Sequence, residues 1–216
     1  MNKKDTVLGA ILQQGILPLF YHDDAAQSIE IVKILYRAGI RVFEFTNRGE
    51  AAESVFAALL QARDLEMPDL YLGIGTIKTT AEASAFLDLG ADFIVSPTMN
   101  PAVGELVNMA SLLWIPGCMT PTEIYMAQEY GAALIKLFPA NILGPGFMGA
   151  IKDLFKGQLF IPTGGVDIEL NNLKSWFDAG VCAVGMGSKL IDPSHTAELQ
   201  ERTIVALDLV RKARKK

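Results

Sequence analysis

Tyr130-Gly131-Ala132-Ala133-Leu134-Ile135-Lys136-Leu137-Phe138-Pro139 carries the repeating unit of the chain and its main anomaly together. A glycine ends a helical segment, an apolar strand starts directly behind it, and a proline closes the strand. Glycine suits the left-handed position that terminates a helix. The same junction recurs at Ala38-Gly39-Ile40, Leu89-Gly90-Ala91 and Ala179-Gly180-Val181. The recurrence predicts a repeated βα unit with short turns between helix and strand.

Working outward, short apolar runs predict strands at Ile16–Phe20, Arg41–Phe45, Leu70–Gly75, Phe93–Ser96, Leu113–Gly117, Leu134–Phe138, Leu159–Pro162 and Val181–Gly185. Amphipathic segments lie between them, among them Ala25–Arg37, Ala51–Arg63 and Thr122–Tyr130, with apolar residues three and four apart. An extra helix over Lys4–Gln13 precedes the first strand, and Ala197–Lys212 closes the chain. Eight strands alternating with helices over 216 residues predict a (β/α)8 TIM barrel with an extra N-terminal helix. A doubly wound open sheet is the alternative fold. With no linker or composition break, one domain is expected over 1–216.

Strand residues alternate between the barrel interior and the helix layer. Val42 and Glu44 then share one face, and Phe43 and Phe45 the other. Leu134 and Lys136 share a face opposite Ile135 and Leu137. The bulky aromatic face suits the helix layer. Glu44 and Lys136 are therefore expected to point into the barrel, near the C-terminal strand ends where barrel active sites lie.

The totals narrow the function. Half of the residues are hydrophobic and the net charge is −5, which argues against nucleic acid as the main partner. A cationic run, Arg211-Lys212-Ala213-Arg214-Lys215-Lys216, ends a helical segment, where the helix dipole favours cations. Two cysteines, Cys118 and Cys182, do not make a disulfide framework. His22 and His195 lack neighbouring ligands, so no metal site is expected. Met1-Asn2-Lys3-Lys4-Asp5 opens no apolar signal segment, and no apolar run is long enough for a membrane span. A cytoplasmic protein is expected.

Lysine is almost never fully buried without a partner or a purpose. Desolvation lowers its pKa, and a neutral amine can condense with a carbonyl to form a Schiff base. The other reading of Lys136 is a stem packed inside with its head in water. Glu44 lies in Glu44-Phe45-Thr46-Asn47-Arg48. It reads either as a structural ion pair with Arg48 or as a general acid/base near the lysine. In the second case Arg48 is free for an anionic group, since arginine matches a carboxylate with paired hydrogen bonds, and Thr46 orients either partner. Gly73-Ile74-Gly75-Thr76 ends the third strand, either leaving space at the mouth or making a tight turn. Pro162-Thr163-Gly164-Gly165 and Gly185-Met186-Gly187-Ser188 follow the last two strands. Glycines there bring backbone N–H groups close to an anion, and a helix start would add its dipole. Lys189 lies near this group or in solvent.

Glu44/Thr46/Arg48, Gly73/Gly75/Thr76, Ser96-Pro97, Pro116-Gly117, Lys136/Phe138-Pro139, Pro162 to Gly165 and Gly187-Ser188 occur in the order and spacing of one family. The chain resembles the class I 2-keto-3-deoxy-6-phosphogluconate aldolases, which include bifunctional 4-hydroxy-2-oxoglutarate aldolases. The resemblance implies a metal-free homotrimer acting on a small keto acid, with no cofactor beyond an imine on Lys136. By the same resemblance, Glu44 shuttles protons through a bound water, and Arg48 and Thr76 hold the carboxylate of the pyruvate end. Pro97 and Phe138 line the pocket, while Gly164, Gly165, Gly187 and Ser188 receive the phosphate. The implied reaction yields pyruvate and glyceraldehyde 3-phosphate, or pyruvate and glyoxylate from hydroxy-oxoglutarate. Asn47 and Gly49 beside Arg48 depart from better-known members, which have an apolar residue and a threonine there. The segment Asn141–Gly146 departs too, reading as a loop that enters a helix and reshapes the phosphate end. These departures bear on the aldehyde half of the substrate. Two alternatives are a non-covalent phosphate-binding barrel isomerase or decarboxylase, and a non-catalytic sugar-phosphate-binding protein.

Overall fold

Strand β1 (Ile16–Phe20) pairs in parallel with β2 (Val42–Thr46) on one side and β9 (Val184–Met186) on the other. In this computed structural model, which describes residues 2–215, the parallel pairing continues through β3 (Tyr71–Gly75) and β4 (Phe93–Val95) to β5 (Leu113–Ile115). A second ladder joins β6 (Gly117–Cys118), β7 (Leu134–Leu137) and β8 (Leu159–Pro162). Met1 and Lys216, the ends of the expected domain and of the cationic run, lie outside the described residues.

Two joints close the ring into a (β/α)8 barrel. The expected fifth strand is split at Pro116. Its first half, β5, pairs with β4, and its second half, β6, pairs with β7. Proline has no N–H for a ladder, but the Pro116 carbonyl accepts from the Lys136 N–H at 2.9 Å. On the other side, Thr163 bridges Gly185, which ties the end of β8 to β9.

The intervening helices are α2 (Ala25–Arg37), α3 (Ala52–Glu66), α4 (Thr80–Leu89), α5 (Pro101–Met109), α6 (Pro121–Glu129), α7 (Ala140–Ile151) and α8 (Leu170–Ala179), and α9 (Leu199–Arg214) ends the chain. The predicted glycine junctions are present. Gly39, Gly90, Gly131 and Gly180 have φ of 108°, 106°, 74° and 115°. The residue after each donates back across the last helical turn, as Ile40 does to Leu35 and Ala132 to Ala127, both at 3.0 Å. A further junction of this type uses Ser111, at φ 57°. The sequence pattern could not show it because no glycine marks it.

The apolar residues separate into two layers as the alternation predicted. Phe43, Phe45, Ile135 and Leu137 belong to the outer cluster under the helices. Val42, Leu134, Phe93 and Ile161 belong to the inner one. Helix α1 (Lys3–Gln14), the extra N-terminal helix, adds Val7 and Ile11, both fully buried, to that inner cluster. Burial of each contributes about 1.5–3 kcal/mol, so α1 plugs the barrel. Gln14 fixes its end. The amide donates to the carbonyls of Ile16 and Val42 at 2.6 and 2.9 Å and accepts from the Arg41 N–H at 2.6 Å.

Asn141–Gly146 differs from the expected loop. Ala140 already starts a helical turn, which breaks at Gly144 (φ 70°, ψ 166°) and resumes with Pro145. Proline lacks an N–H and suits the start of a helix, which is what the restart after Gly144 provides.

Candidate active site

Lys136 and Glu44 both lie inside the barrel, 5 % and 1 % exposed. Each is the polar member of an inward-facing set, opposite the aromatic and aliphatic outer face. The Lys136 ammonium stands 5.0 Å from the centre of the Phe138 ring. Glu44 Oε1 is buried with no hydrogen-bond partner among the described residues. The Glu44–Arg48 ion pair weighed from the sequence is not formed; Arg48 acts on Glu44 only through its charge. Burial pushes the Glu44 carboxyl up, against the pull of Lys136 and then of Arg48. Burial pushes the Lys136 ammonium down, Glu44 opposes this, and Arg48 adds to it. Both shifts favour the uncharged forms. The pair is thus an amine disposed to lose its proton and a carboxyl disposed to hold one.

The strand-end glycines explain how Glu44 fits. A β-carbon on Gly75 would stand 1.8 Å from Glu44 Oε1, and one on Gly73 would stand 2.3 Å from the Phe93 ring. Neither glycine has a positive φ, so backbone freedom is not their role. They leave room for side chains from the neighbouring strands. Gly75→Ala is therefore expected to displace the carboxylate and cost about 1–3 kcal/mol of stability, with turnover falling more than binding. Chemical denaturation and steady-state kinetics of the variant check both. Unchanged kcat would show that the placement of Glu44 does not matter.

Above the pair opens a cavity of about 620 Å³. Arg48, Thr76, Pro97, Lys136, Phe138, Gly164, Gly165, Gly187 and Ser188 all line it. Glu44 does not line it but is buried close enough to Lys136 for the two charges to act on each other. The structure thus brings nine of the residues named from the sequence to one cavity, with Glu44 beside Lys136. Thr76 holds φ at 66°, an outlier for a β-branched residue and of the kind that clusters at functional sites.

At the far wall, Gly164 and Gly165 have φ of 93° and 88°. The N–H groups of Gly164, Gly165, Gly187 and Ser188 meet no backbone acceptor among the described residues. All four residues line the cavity. The expected helix start is absent at both loops: α8 begins only at Leu170 and α9 at Leu199. Gly187 instead accepts from the N–H groups of Leu190 and Ile191, at 2.9 and 3.0 Å, in a single turn. Lys189 also lines the cavity and pairs with Asp167 at 3.0 Å, linking the two loops.

Other expectations are corrected. The Thr46 hydroxyl bonds neither Glu44 nor Arg48; it donates to the Phe20 carbonyl at 3.3 Å and holds β2 against β1, while the Thr46 carbonyl accepts from the Arg48 N–H at 3.0 Å. Ser96 is fully buried and accepts from Trp114 Nε1 at 3.1 Å. Asn141–Gly146 does not itself line the cavity, but Asn141 backs the Gly164–Gly165 loop, its N–H donating to the Gly164 carbonyl at 2.8 Å. Leu19, Tyr21, Thr163 and Pro193 do, and the sequence reading assigned none of them. Leu19 was accessible, because it shares parity with the inward Leu17. Pro193 was not, because it arrives through a tertiary bond from Gln27 Nε2 to its carbonyl at 2.7 Å.

A parallel barrel with a buried lysine–glutamate pair beside a cavity at its strand ends, lined by two glycine loops, is the layout of a (β/α)8-barrel enzyme. The comparisons agree with this class. The family model for KDPG and KHG aldolase matches residues 9–207. A 2-dehydro-3-deoxy-phosphogluconate aldolase of Treponema pallidum is 34% identical over 79% of this chain and 79% of its own length. A probable 2-dehydro-3-deoxy-6-phosphogalactonate aldolase of Rhizobium meliloti is 36% identical over 63% of this chain and 64% of its own. A solved 4-hydroxy-2-oxoglutarate aldolase/2-deydro-3-deoxyphosphogluconate aldolase from TTHB1 superposes with a TM-score of 0.83 at 28% identity, covering 94% of this chain and 98% of that one. The chain belongs to the KDPG and KHG aldolase family.

Proposed function

We propose that the chain is a carbon–carbon lyase, a class I aldolase that cleaves 2-keto-3-deoxy-6-phosphogluconate to pyruvate and glyceraldehyde 3-phosphate. 4-Hydroxy-2-oxoglutarate, cleaved to pyruvate and glyoxylate, fits the same chemistry. The observation that carries this reading is Lys136: a buried amine with a lowered pKa that lines a cavity beside an unpartnered carboxyl.

Neutral Lys136 Nζ adds to the C2 carbonyl carbon of the keto acid. Glu44 supplies the proton that turns the C2 oxygen into departing water, leaving a protonated imine. Glu44, now ionised, takes the proton of the C4 hydroxyl. The C3–C4 bond breaks, its electrons move into the imine to give an enamine, and the aldehyde leaves. Glu44 returns its proton to C3; water then adds at C2, ionised Glu44 takes up the proton this hydrolysis releases, and pyruvate leaves the free amine, which restores the starting pair. Proton transfer of this sort contributes about 10²–10⁴-fold, and the covalent route divides one difficult step into easier ones.

The cavity has the charge layout for a ligand that is anionic at both ends. Arg48 and Thr76 take the carboxylate next to C2. The free N–H groups of Gly164, Gly165, Gly187 and Ser188, with the Ser188 hydroxyl and Lys189, take the phosphate. Hydrogen bonds to a charged group are worth about 1.5–3 kcal/mol. Ser188→Ala is therefore expected to lower kcat/KM by roughly tenfold or more on the phosphorylated substrate and to spare hydroxy-oxoglutarate. An equal loss on both would remove Ser188 from the phosphate site.

The reading takes the whole chain as one catalytic domain, needs no metal or cofactor, and has the chain act as a homotrimer. It places the enzyme in the cytoplasm, where the free thiols of Cys118 and Cys182 stay reduced; no described helix is long and apolar enough to cross a membrane. A non-covalent phosphate-binding barrel would gain nothing from a lysine buried at such cost. The test is pyruvate release from 2-keto-3-deoxy-6-phosphogluconate, followed with lactate dehydrogenase. Release matched by glyceraldehyde 3-phosphate is expected. No pyruvate from that substrate or from hydroxy-oxoglutarate would overturn the proposal.

A further inference from the structure

Tyr21 lines the cavity from the loop between β1 and α2, and the proposed reaction gives it no role. Its hydroxyl donates to Asp23 Oδ1, and its ring packs 5.5 Å from that of Phe45. The phenol lies directly over Gly49. A β-carbon there would stand 2.1 Å from the hydroxyl oxygen and 2.7 Å from the carbon that bears it. Gly49 has no positive φ, so its missing side chain is explained by this approach and not by backbone conformation. Burial, then Asp23, pushes the Tyr21 phenol up to about 12, while the backbone N–H of Ala51 acts in the other direction. The phenol therefore keeps its proton and packs against the β2–α3 loop at Gly49.

That loop carries Arg48, whose guanidinium has no side-chain partner among the described residues. Backbone bonds hold its start, from Asn47 N–H to the Gly75 carbonyl at 2.9 Å and from Arg48 N–H to the Thr46 carbonyl at 3.0 Å. Beyond Arg48 the Gly49 carbonyl accepts from the Ala52 N–H at 3.1 Å, and the Tyr21 phenol packs on the α-carbon side of Gly49 that a side chain would occupy. The β1–α2 loop that delivers Tyr21 is anchored in turn: Asp24 caps α2 by accepting from the Gln27 N–H at 2.7 Å.

We propose that Tyr21 is a positioning residue for Arg48: seated on Gly49 and tied to Asp23, it fixes the loop that aims the guanidinium at the substrate carboxylate. The departure at Gly49 is then one half of a matched pair, and Tyr21 is the other. This rests on the reading of Arg48 as the group that holds that carboxylate.

The test traps the lysine adduct with cyanoborohydride and measures the ketone concentration for half-maximal trapping. Pyruvate and methyl pyruvate are compared, because the ester offers the same ketone without the charge. Tyr21→Phe is expected to raise the pyruvate value roughly three- to tenfold and leave the methyl pyruvate value unchanged. Gly49→Ala, which wedges the phenol away, should act the same way, and its effect should vanish in a Tyr21→Ala background. Equal weakening for both ketones would mean general loosening and overturn the proposal. So would an unchanged pyruvate value in Tyr21→Phe when the unsubstituted chain forms the adduct. No adduct in the unsubstituted chain would overturn the aldolase reading, and this proposal with it.

Discussion

Lys136→Met is expected to lower turnover by at least about 10⁴-fold, the scale on which loss of a covalent nucleophile registers, while the protein stays folded. The second half of that expectation follows from linkage. Lysine ordinarily titrates near 10.5, and burial lowers Lys136 below this in the folded chain. Between those two values the unfolded state holds more protons, so this group's contribution to stability rises with pH and is adverse near neutrality. Methionine keeps the apolar stem and removes the buried charge. The variant's melting temperature should therefore equal or exceed that of the unsubstituted chain. Turnover within about tenfold of the unsubstituted enzyme would remove Lys136 from the chemistry.

Glu44→Gln should lower kcat by about 10²–10⁴-fold, the usual worth of general acid–base catalysis, with a much smaller change in KM. Glutamine keeps the shape that fits beside Gly75 and cannot move a proton. The sign for stability is opposite to that of Lys136. Glu44 ordinarily titrates near 4.5, and burial raises it when folded. Between its two values the folded state holds more protons, so its contribution to stability falls as pH rises. The two groups thus oppose folding together near neutral pH, as expected where stability is spent on function. A Glu44→Gln variant with unchanged kcat but a raised KM would make Glu44 a binding group only. Steady-state kinetics across pH separates these cases.

Much of this was legible in the sequence because the informative residues violate local expectation. Lys136 and Glu44 stand out as ionisable residues in apolar strands, and alternation alone placed both inside. The glycine junctions fixed the βα repeat because a positive φ at a helix end selects for glycine. What escaped depends on neighbours distant in sequence. Gly73 and Gly75 read either as space at the mouth or as a tight turn, and what decides for space is Phe93 and Glu44 projecting from adjacent strands. Pro116 was visible, but only strand register shows that it lets one strand serve two partners. Thr46 and Ser96 sit in site motifs and turn to Phe20 and Trp114. Gly187-Ser188 looked like a loop entering a helix, and the chain makes only a turn. Gly49 was seen as a departure, and its reason lies in the loop that carries Tyr21.

The central claim is a covalent bond between Lys136 and the keto acid. The protein should be incubated with pyruvate and borohydride, digested, and mapped by mass spectrometry. The account predicts one reduced pyruvyl adduct, on Lys136. A folded protein that gains no adduct, or gains it on another lysine with Lys136 unmodified, would contradict the account.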